Sequence, residues 1–332
     1  MVLGDGNPDV LVLGDDVTPA FGQQEKLVGS ISLVIGGSAA ITAVAAARLG
    51  LSVALVAAVG ADRPGEFMLD QLAAEGVDTS AVVIRDGTPT GMTVALSRGA
   101  DRAILTALGA VASLTAADIP AALLARARHV HASSYFLLQD CLGPGLAGVL
   151  SAARAAGATT SLDTNWDPAG RWGDEHLSAA IAQADILLPN EPEALCLARA
   201  PTLNAAVASL TGPGRPATLT SSEPPANPTT RRLVVKLGDR GALCADGPVR
   251  HQVSLPPVNP LDTTGAGDCF NAGLIAGLLG GLALPAAAAL GCAAGALSTG
   301  APGGTAGAPD PPAAARLARL ASVRDFPAER TS

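Results

Sequence analysis

Lysine is almost missing from this chain: Lys26 and Lys236 are the only two in 332 residues, and arginine supplies every other cationic side chain. Acidic residues outnumber basic ones, 29 to 21, and no basic stripe appears anywhere. That balance excludes the electrostatic footprint of a nucleic-acid binder. Long apolar runs are also lacking. The Ala-rich stretches 38–47 and 286–296 are short and interrupted by Gly, Thr or Ser, well below the roughly 20 residues a membrane helix needs. The first residues show no basic flank ahead of an apolar run, so neither a signal peptide nor a membrane partner is expected. Cys141, Cys196, Cys244, Cys269 and Cys292 are scattered without metal-ligand spacing, and they read as reduced core thiols of a cytoplasmic protein. His129, His131 and His176 have no partner at useful spacing and read as structural. Among the few aromatics, Phe21, Tyr135, Phe136 and Trp166 are candidates for stacking on a ring, although such residues more often fill cores.

What is present is an alternation of short apolar runs and helical patterns. Val10 to Leu13, Val53 to Val59, His129 to Ala132, Thr159 to Leu162, Ile186 to Leu188 and Leu233 to Leu237 read as buried strands. Ala39 to Leu49, Glu66 to Glu75 and Gly145 to Ala156 read as helices between them. The pattern predicts an α/β fold, doubly wound, with a mostly parallel central sheet and helices on both faces. Such folds bind ligands at the carboxyl ends of strands. Ile31 to Ile35, with a hairpin of Thr90 to Ser97 and Ala103 to Ala107, predicts a small separate sheet. One domain spanning 1–332 is expected, with lid segments at about 15–35 and 88–108. Residues 212–231, dense in Pro, Ser and Thr, read as a flexible insertion, and 308–332 as a partly mobile tail.

The segment Asp262-Thr263-Thr264-Gly265-Ala266-Gly267-Asp268 stands immediately before an apolar helical pattern. Glycines there allow the turn to aim several N–H groups at one point, and the helix adds its positive end. A carboxylate beside such an anion site makes chemical sense as the base for a hydroxyl attacking a phosphate. A plain glycine-rich turn with an N-terminal acid is the structural alternative.

This heptapeptide resembles the C-terminal signature of the ribokinase-like (PfkB) carbohydrate kinases. Gly36-Gly37-Ser38-Ala39-Ala40 is similar to that family's N-terminal glycine motif, and Val59 to Gly65 to its next turn. Pro189-Asn190-Glu191-Pro192-Glu193 matches its Asn-Glu-x-Glu element, and Val235-Lys236-Leu237-Gly238 with Gly241-Ala242 its nucleotide-side strand and turn. The set occurs in family order across about residues 9 to 305.

The resemblance implies phosphoryl transfer from ATP to a hydroxyl of a sugar or sugar-like molecule. It makes Asp268 the base and the amides of Gly265, Ala266 and Gly267 the anion hole. Lys236, Gly238, Gly241, Asn190 and Thr263 would meet the nucleotide, and Asn190 with Glu193 would hold Mg²⁺ through water. Asp262 and Thr264, with the 298–304 loop, resemble a monovalent-cation site for K⁺. The substrate candidates are Asp16, Gly36, Gly37, Asp163 and Asn165, and the small sheet would serve as lid and homodimer contact. Two positions depart from the pattern. Counted five residues past Gly14, the family's acid is Pro19, and the Asn expected after Gly36-Gly37 is Ile41. Asp15, Asp16 and Gln23 are the candidate substitutes for the acid. These departures leave open a nucleoside kinase, or a binding protein that has lost turnover.

Overall fold

The computed structural model describes residues 1–98, 101–212 and 232–326, with the backbone alone at Arg98 and Asp101. Its central sheet runs, edge to edge, Leu55–Val56, Val2–Leu3, His129–Ala132, Thr159–Leu162, Ile186–Leu187, Arg232–Lys236, Ala242–Asp246, Val249–Ser254 and Ser322–Asp325. The first six of these strands pair in parallel and the last three antiparallel.

Parallel strands are covered on both sides, which is why they read as unbroken apolar runs. In Arg232–Lys236, Leu233 and Val235 pack with Leu146, Leu150, Ile181 and Leu197 on one face. Val234 faces the opposite way, into a cluster with Phe270, Leu274 and Ala288. Helices thus lie on both faces, as the alternation predicted. On the second face, Ala266–Leu279 and Leu284–Ser298 approach closely because small residues line their seam. A Cβ on Gly273 would sit 2.7 Å from the Leu290 carbonyl oxygen.

A second sheet has the order Ser30–Gly36, Asn7–Leu13, Met92–Arg98, Asp101–Ala107. The hairpin and the Ile31 to Ile35 run therefore fall where the sequence put them. The Val10 to Leu13 run does not begin the central sheet. It belongs to Asn7–Leu13, which pairs antiparallel with Ser30–Gly36 and parallel with Met92–Arg98. The first central strand is the pair Val2–Leu3, too short for periodicity to reveal. The run Val53 to Val59 likewise divides between sheets, as Leu55–Val56 and Ala58–Gly60.

Near the C-terminus, Pro311–Ala318 is helical and Ser322–Asp325 adds an edge strand to the central sheet. The expected insertion at 212–231 lies outside the described residues except for Gly212, and so do the tail residues 327–332. Arg48, ending helix Ser38–Arg48, ties the C-terminal turns to the body. Its Nε and Nη2 each donate to Glu75 at 2.7 Å, and its Nη1 to the Thr305 carbonyl at 2.6 Å.

Candidate active site

Strand ends, one helix N-terminus and the small sheet converge on Asp268. Gly265 takes the left-handed conformation, φ 71°, and starts helix Ala266–Leu279. A Cβ there would lie 2.7 Å from the Gly304 Cα, so the position needs glycine for space as well as for φ. Asp262 fixes this turn: its Oδ1 accepts from the Thr264 amide at 2.9 Å and hydroxyl at 2.7 Å, its Oδ2 from the Gly303 amide at 2.8 Å. The Ala266 amide turns back to Thr263 O at 3.3 Å, whereas among the described residues the Gly265 and Gly267 amides have no acceptor. Unsatisfied amides at a helix N-terminus are ready-made anion donors.

Asp268, in the first turn of that helix, is buried, and burial together with the Asp163 carboxylate pushes its pKa well above the ordinary range, against the opposing pull of Lys236 and the Ser38 hydroxyl. Asp163 ends strand Thr159–Leu162, forms an ion pair with Lys236 and accepts from Asn271 Nδ2 at 2.6 Å. Burial acts to lower the Lys236 pKa, but Asp163 and Glu193 outweigh it and the net shift is upward. The ion pair places the ammonium beside the anion turn: a Cβ on Gly267 would be 3.6 Å from Lys236 Nζ.

Asn190 and Glu193 form a capping box at the start of helix Glu191–Ala198. Glu193 N donates to Asn190 Oδ1 at 2.9 Å and Asn190 N donates to Glu193 Oε2 at 2.8 Å. The capping reading is therefore realised in the geometry. Burial and Asp163 raise Glu193 to about 7, so this acid also belongs to the charged cluster. Gly238 and Gly241 sit in the turn after Lys236 with φ of 63° and 87°. At Gly241 a Cβ would lie 2.0 Å from the Val253 carbonyl oxygen, whereas Gly238 faces open space. Thr263 is exposed.

On the other side, Asp5 and Asp9 carry the structure that the sequence reading missed. Both are buried. Asp5 caps helix Ser38–Arg48 by accepting from the Ser38 and Ala39 amides at 3.1 and 3.0 Å, since the N-cap position itself is Gly37, φ 84°. Asp9 accepts from Asn7 Nδ2 at 3.1 Å and lies against Gly36. Burial and the neighbouring Asp5 raise it to about 7, opposed by Arg102. Counting five residues from Gly4, the glycine that follows the first central strand, gives Asp9. Counting from Gly14 reaches Pro19 only if Asn7–Leu13 stands as the first central strand, and it does not. The departure at Pro19 is thus a register error, and the departure at Ile41 stands. Ile41 is buried against Gly304, where its Cδ1 is 2.4 Å from the place of a Cβ.

Asp16 is exposed, paired with Lys26 and the Thr18 amide, so its carboxylate is engaged away from the buried acids. Asn165, φ 56°, joins the two sides: its Nδ2 donates to Ser38 Oγ at 2.9 Å and its Oδ1 accepts from the Ser134 amide at 2.8 Å. Arg102, from the small sheet, donates to Thr264 Oγ1 at 3.2 Å. Neither Tyr135 nor Phe136 offers a free face to a base, whereas Trp166 is 57% exposed and packs edge-on with Trp172. Tyr135 is buried and donates to Asp174 at 2.9 Å, Phe136 packs edge-on with Trp172, and Phe21 is 93% exposed. That removes Tyr135 from the support for a nucleoside acceptor, and Asp9 removes one of the two supports for lost turnover.

Comparison with known proteins gives the family and the fold. The family model described as pfkB family carbohydrate kinase matches residues 7–311. A ribokinase of Haemophilus influenzae is 30% identical over 301 residues, covering 90% of each chain. A fructokinase of Salmonella typhimurium is 29% identical over 278 residues, covering 82% of this chain and 85% of its own. An Escherichia coli protein solved in complex with ATP and Mg²⁺ has the same fold, with a TM-score of 0.80 at 23% identity, covering 96% of this chain and 97% of its own.

Proposed function

This chain belongs to the pfkB family of carbohydrate kinases, and on that premise we propose how its own residues carry out ATP-dependent phosphorylation of a sugar hydroxyl. The observation that carries the reading is a buried Asp268 with raised proton affinity beside two amides that lack acceptors. The residues fit a nucleoside triphosphate: among the described residues, amides without acceptors at Gly265 and Gly267, the Lys236 ammonium next to them, glycine at 241 where the Val253 carbonyl comes close, and glycine at 238 facing open space. Bound ATP with Mg²⁺ supplies the phosphoryl group and offsets its charge.

Asp9 and Asn7 hold sugar hydroxyls on the small-sheet side, and Asn165 and Ser38 keep the Gly36-Gly37 turn in register with them. Asp268 accepts the proton of the attacking hydroxyl; its raised pKa makes it a better base than an exposed carboxylate. The amides of Gly265 and Gly267 stabilise the charge on the transferred group, and that of Ala266 joins them on release from the Thr263 carbonyl. Lys236 lies at the phosphates as a point charge while Asp163 holds it there. Asn190 and Glu193 present their oxygens to the hydrated Mg²⁺.

The small sheet is the lid of a single kinase domain. Its exposed Ile31, Leu33, Ile104 and Leu105 form the contact with a second copy. Asp262 and Thr264, with backbone carbonyls of 298–304, provide for K⁺.

The test is ADP release in the presence of ATP and Mg²⁺ across ketohexoses, aldopentoses, ketodeoxy acids and nucleosides. Turnover is expected with a sugar and not with a nucleoside. No sugar raising ADP release above the ATP-only background would sink the reading. Removal of K⁺ is expected to lower turnover, and light scattering to report a dimer.

A further inference from the structure

The two helices that build the candidate site, Ser38–Arg48 and Ala266–Leu279, present their N-termini to it. Their other ends enclose a second space. A cavity of about 730 Å³ is lined there by Thr42 and Ala46 of the first helix, Ile275 and Leu279 of the second, and His131 of the central sheet. Arg126 and Arg128, both exposed, also line it, so it runs from the surface to the buried face of the sheet. Its size falls within the range of about 300–1,000 Å³ usual for small-molecule sites, and its wall is shared about equally between polar and apolar surface.

The polar groups point to a ligand. His131 is wholly buried; its Nδ1 pairs with Ser161 Oγ at 2.8 Å, while its Nε2 has no partner among the described residues. An unmet buried polar atom is costly, and because His131 lines the cavity a small shift of the wall would let a ligand atom meet it. Arg128 donates by one Nη2 to the Leu279 carbonyl at 3.0 Å, and Arg126 by Nε to the Ala122 carbonyl at 3.3 Å. A guanidinium has five N–H donors, so both retain donors for a bound acid. Asp78 is the one carboxylate on the wall, against these two cations, and it accepts from the Ser80 amide at 2.9 Å.

We propose that this cavity binds a small organic anion, an apolar body bearing one carboxylate or phosphate group, and that its occupancy is transmitted to Asp268. The anionic group meets Arg126 and Arg128, the apolar body lies among Ala46, Ile275 and Leu279, and a polar atom reaches His131 Nε2. Transmission has a short path. Thr42, on the cavity wall, donates its hydroxyl to the Asp268 carbonyl oxygen at 3.4 Å, and Ile275 lies two turns below Asp268 on the same helix. This second half rests on the kinase reading; the binding half does not.

The probe is 8-anilinonaphthalene-1-sulfonate, an aromatic body with one anionic group whose fluorescence rises in apolar surroundings. One saturable site per chain is expected, weakened at least tenfold by the double substitution Arg126→Gln/Arg128→Gln and by Ala127→Trp, which fills the wall next to the arginines. Displacement by phenyl phosphate or by phenylacetate then identifies the acidic group as phosphate or carboxylate. The binding half is overturned by absence of a saturable site, by displacement with neither competitor, or by unchanged affinity in both variants. Displacement by ATP with both variants unchanged would place the probe in the nucleotide site, and also overturns it. For transmission, kcat for the sugar that turns over is expected to change at least twofold with the probe in the parent enzyme and not in the variants. Probe binding without that change overturns transmission alone. A chain that turns over no sugar fails the kinase reading and leaves the binding result to stand by itself.

Discussion

The carboxylate of Asp9 fills the space that a side chain at position 36 would need: a Cβ built on Gly36 would lie 1.8 Å from Asp9 Oδ1 and 2.0 Å from its Cγ. One strand of the small sheet thus gives up its side chain so that the neighbouring strand can bury an acid. Gly36→Ala is expected to push Asp9 from its place and lower kcat/KM at least 100-fold, about 2.7 kcal/mol. Steady-state kinetics on the sugar that turns over provides the check, and near-parental kcat/KM would show that Asp9 has no part in binding.

Replacing the base separates chemistry from stability. Asp268→Asn is expected to lower kcat at least 1,000-fold while ATP binding by calorimetry stays within threefold. It should also raise the thermal midpoint relative to the parent as pH climbs above 3.8. Asp268 has its pKa raised by burial and by Asp163, so its contribution to stability is lost as pH rises through its folded value, and an amide does not incur that loss. A variant that is both active and less stable would contradict the assignment on two counts.

The Asp163–Lys236 pair carries the opposite sign. Its side chains are only 1% and 13% exposed, so removing either partner leaves a buried charge without its counterion, costing about 3–5 kcal/mol. Lys236→Met and Asp163→Asn should each lower the thermal midpoint by roughly 6–20 °C at about 2–4 °C per kcal/mol. The double variant should lose less than the sum of the two. Strict additivity in denaturation scans would mean that the two side chains do not act as a pair.

The free protein should become less stable through neutral pH. The pKa of Asp9 rises from 3.8 to about 7 by burial and the charge of Asp5. The folded state therefore holds a proton that the unfolded chain releases, and the associated stability is complete below 3.8 and lost as pH climbs through 7. Glu193, raised to about 7 by burial and Asp163, adds a loss of the same sign. Asp9→Asn should flatten the decline of the midpoint between about pH 4 and 7 while raising KM for the sugar. An unaltered pH profile would remove Asp9 from this balance.

The phosphate side was legible because its chemistry is local. Gly265, Ala266, Gly267 and Asp268 are contiguous, and the turn they predict is the turn that forms. Asn190 to Glu193 was legible for the same reason, although its capping box is visible only once both hydrogen bonds are measured. The sugar side was misread because strand length competed with position. Val2–Leu3 has two residues and Asn7–Leu13 has seven, so the longer apolar run captured the role of first strand and shifted the count from Asp9 to Pro19. Long-range pairings left no trace. Lys236 and Asp163 are 73 residues apart, and the contact of Arg102 with Thr264 spans 162.

The pairing of Lys236 has a practical consequence. With that amine enclosed, Lys26 is the one exposed lysine of the whole molecule. It lies between Asn7–Leu13 and Ser30–Gly36, two strands of the small sheet. A lysine-directed dye will therefore report from that loop and from the Met1 α-amine, and a cross-linker between lysine side chains can join two copies only where those loops meet.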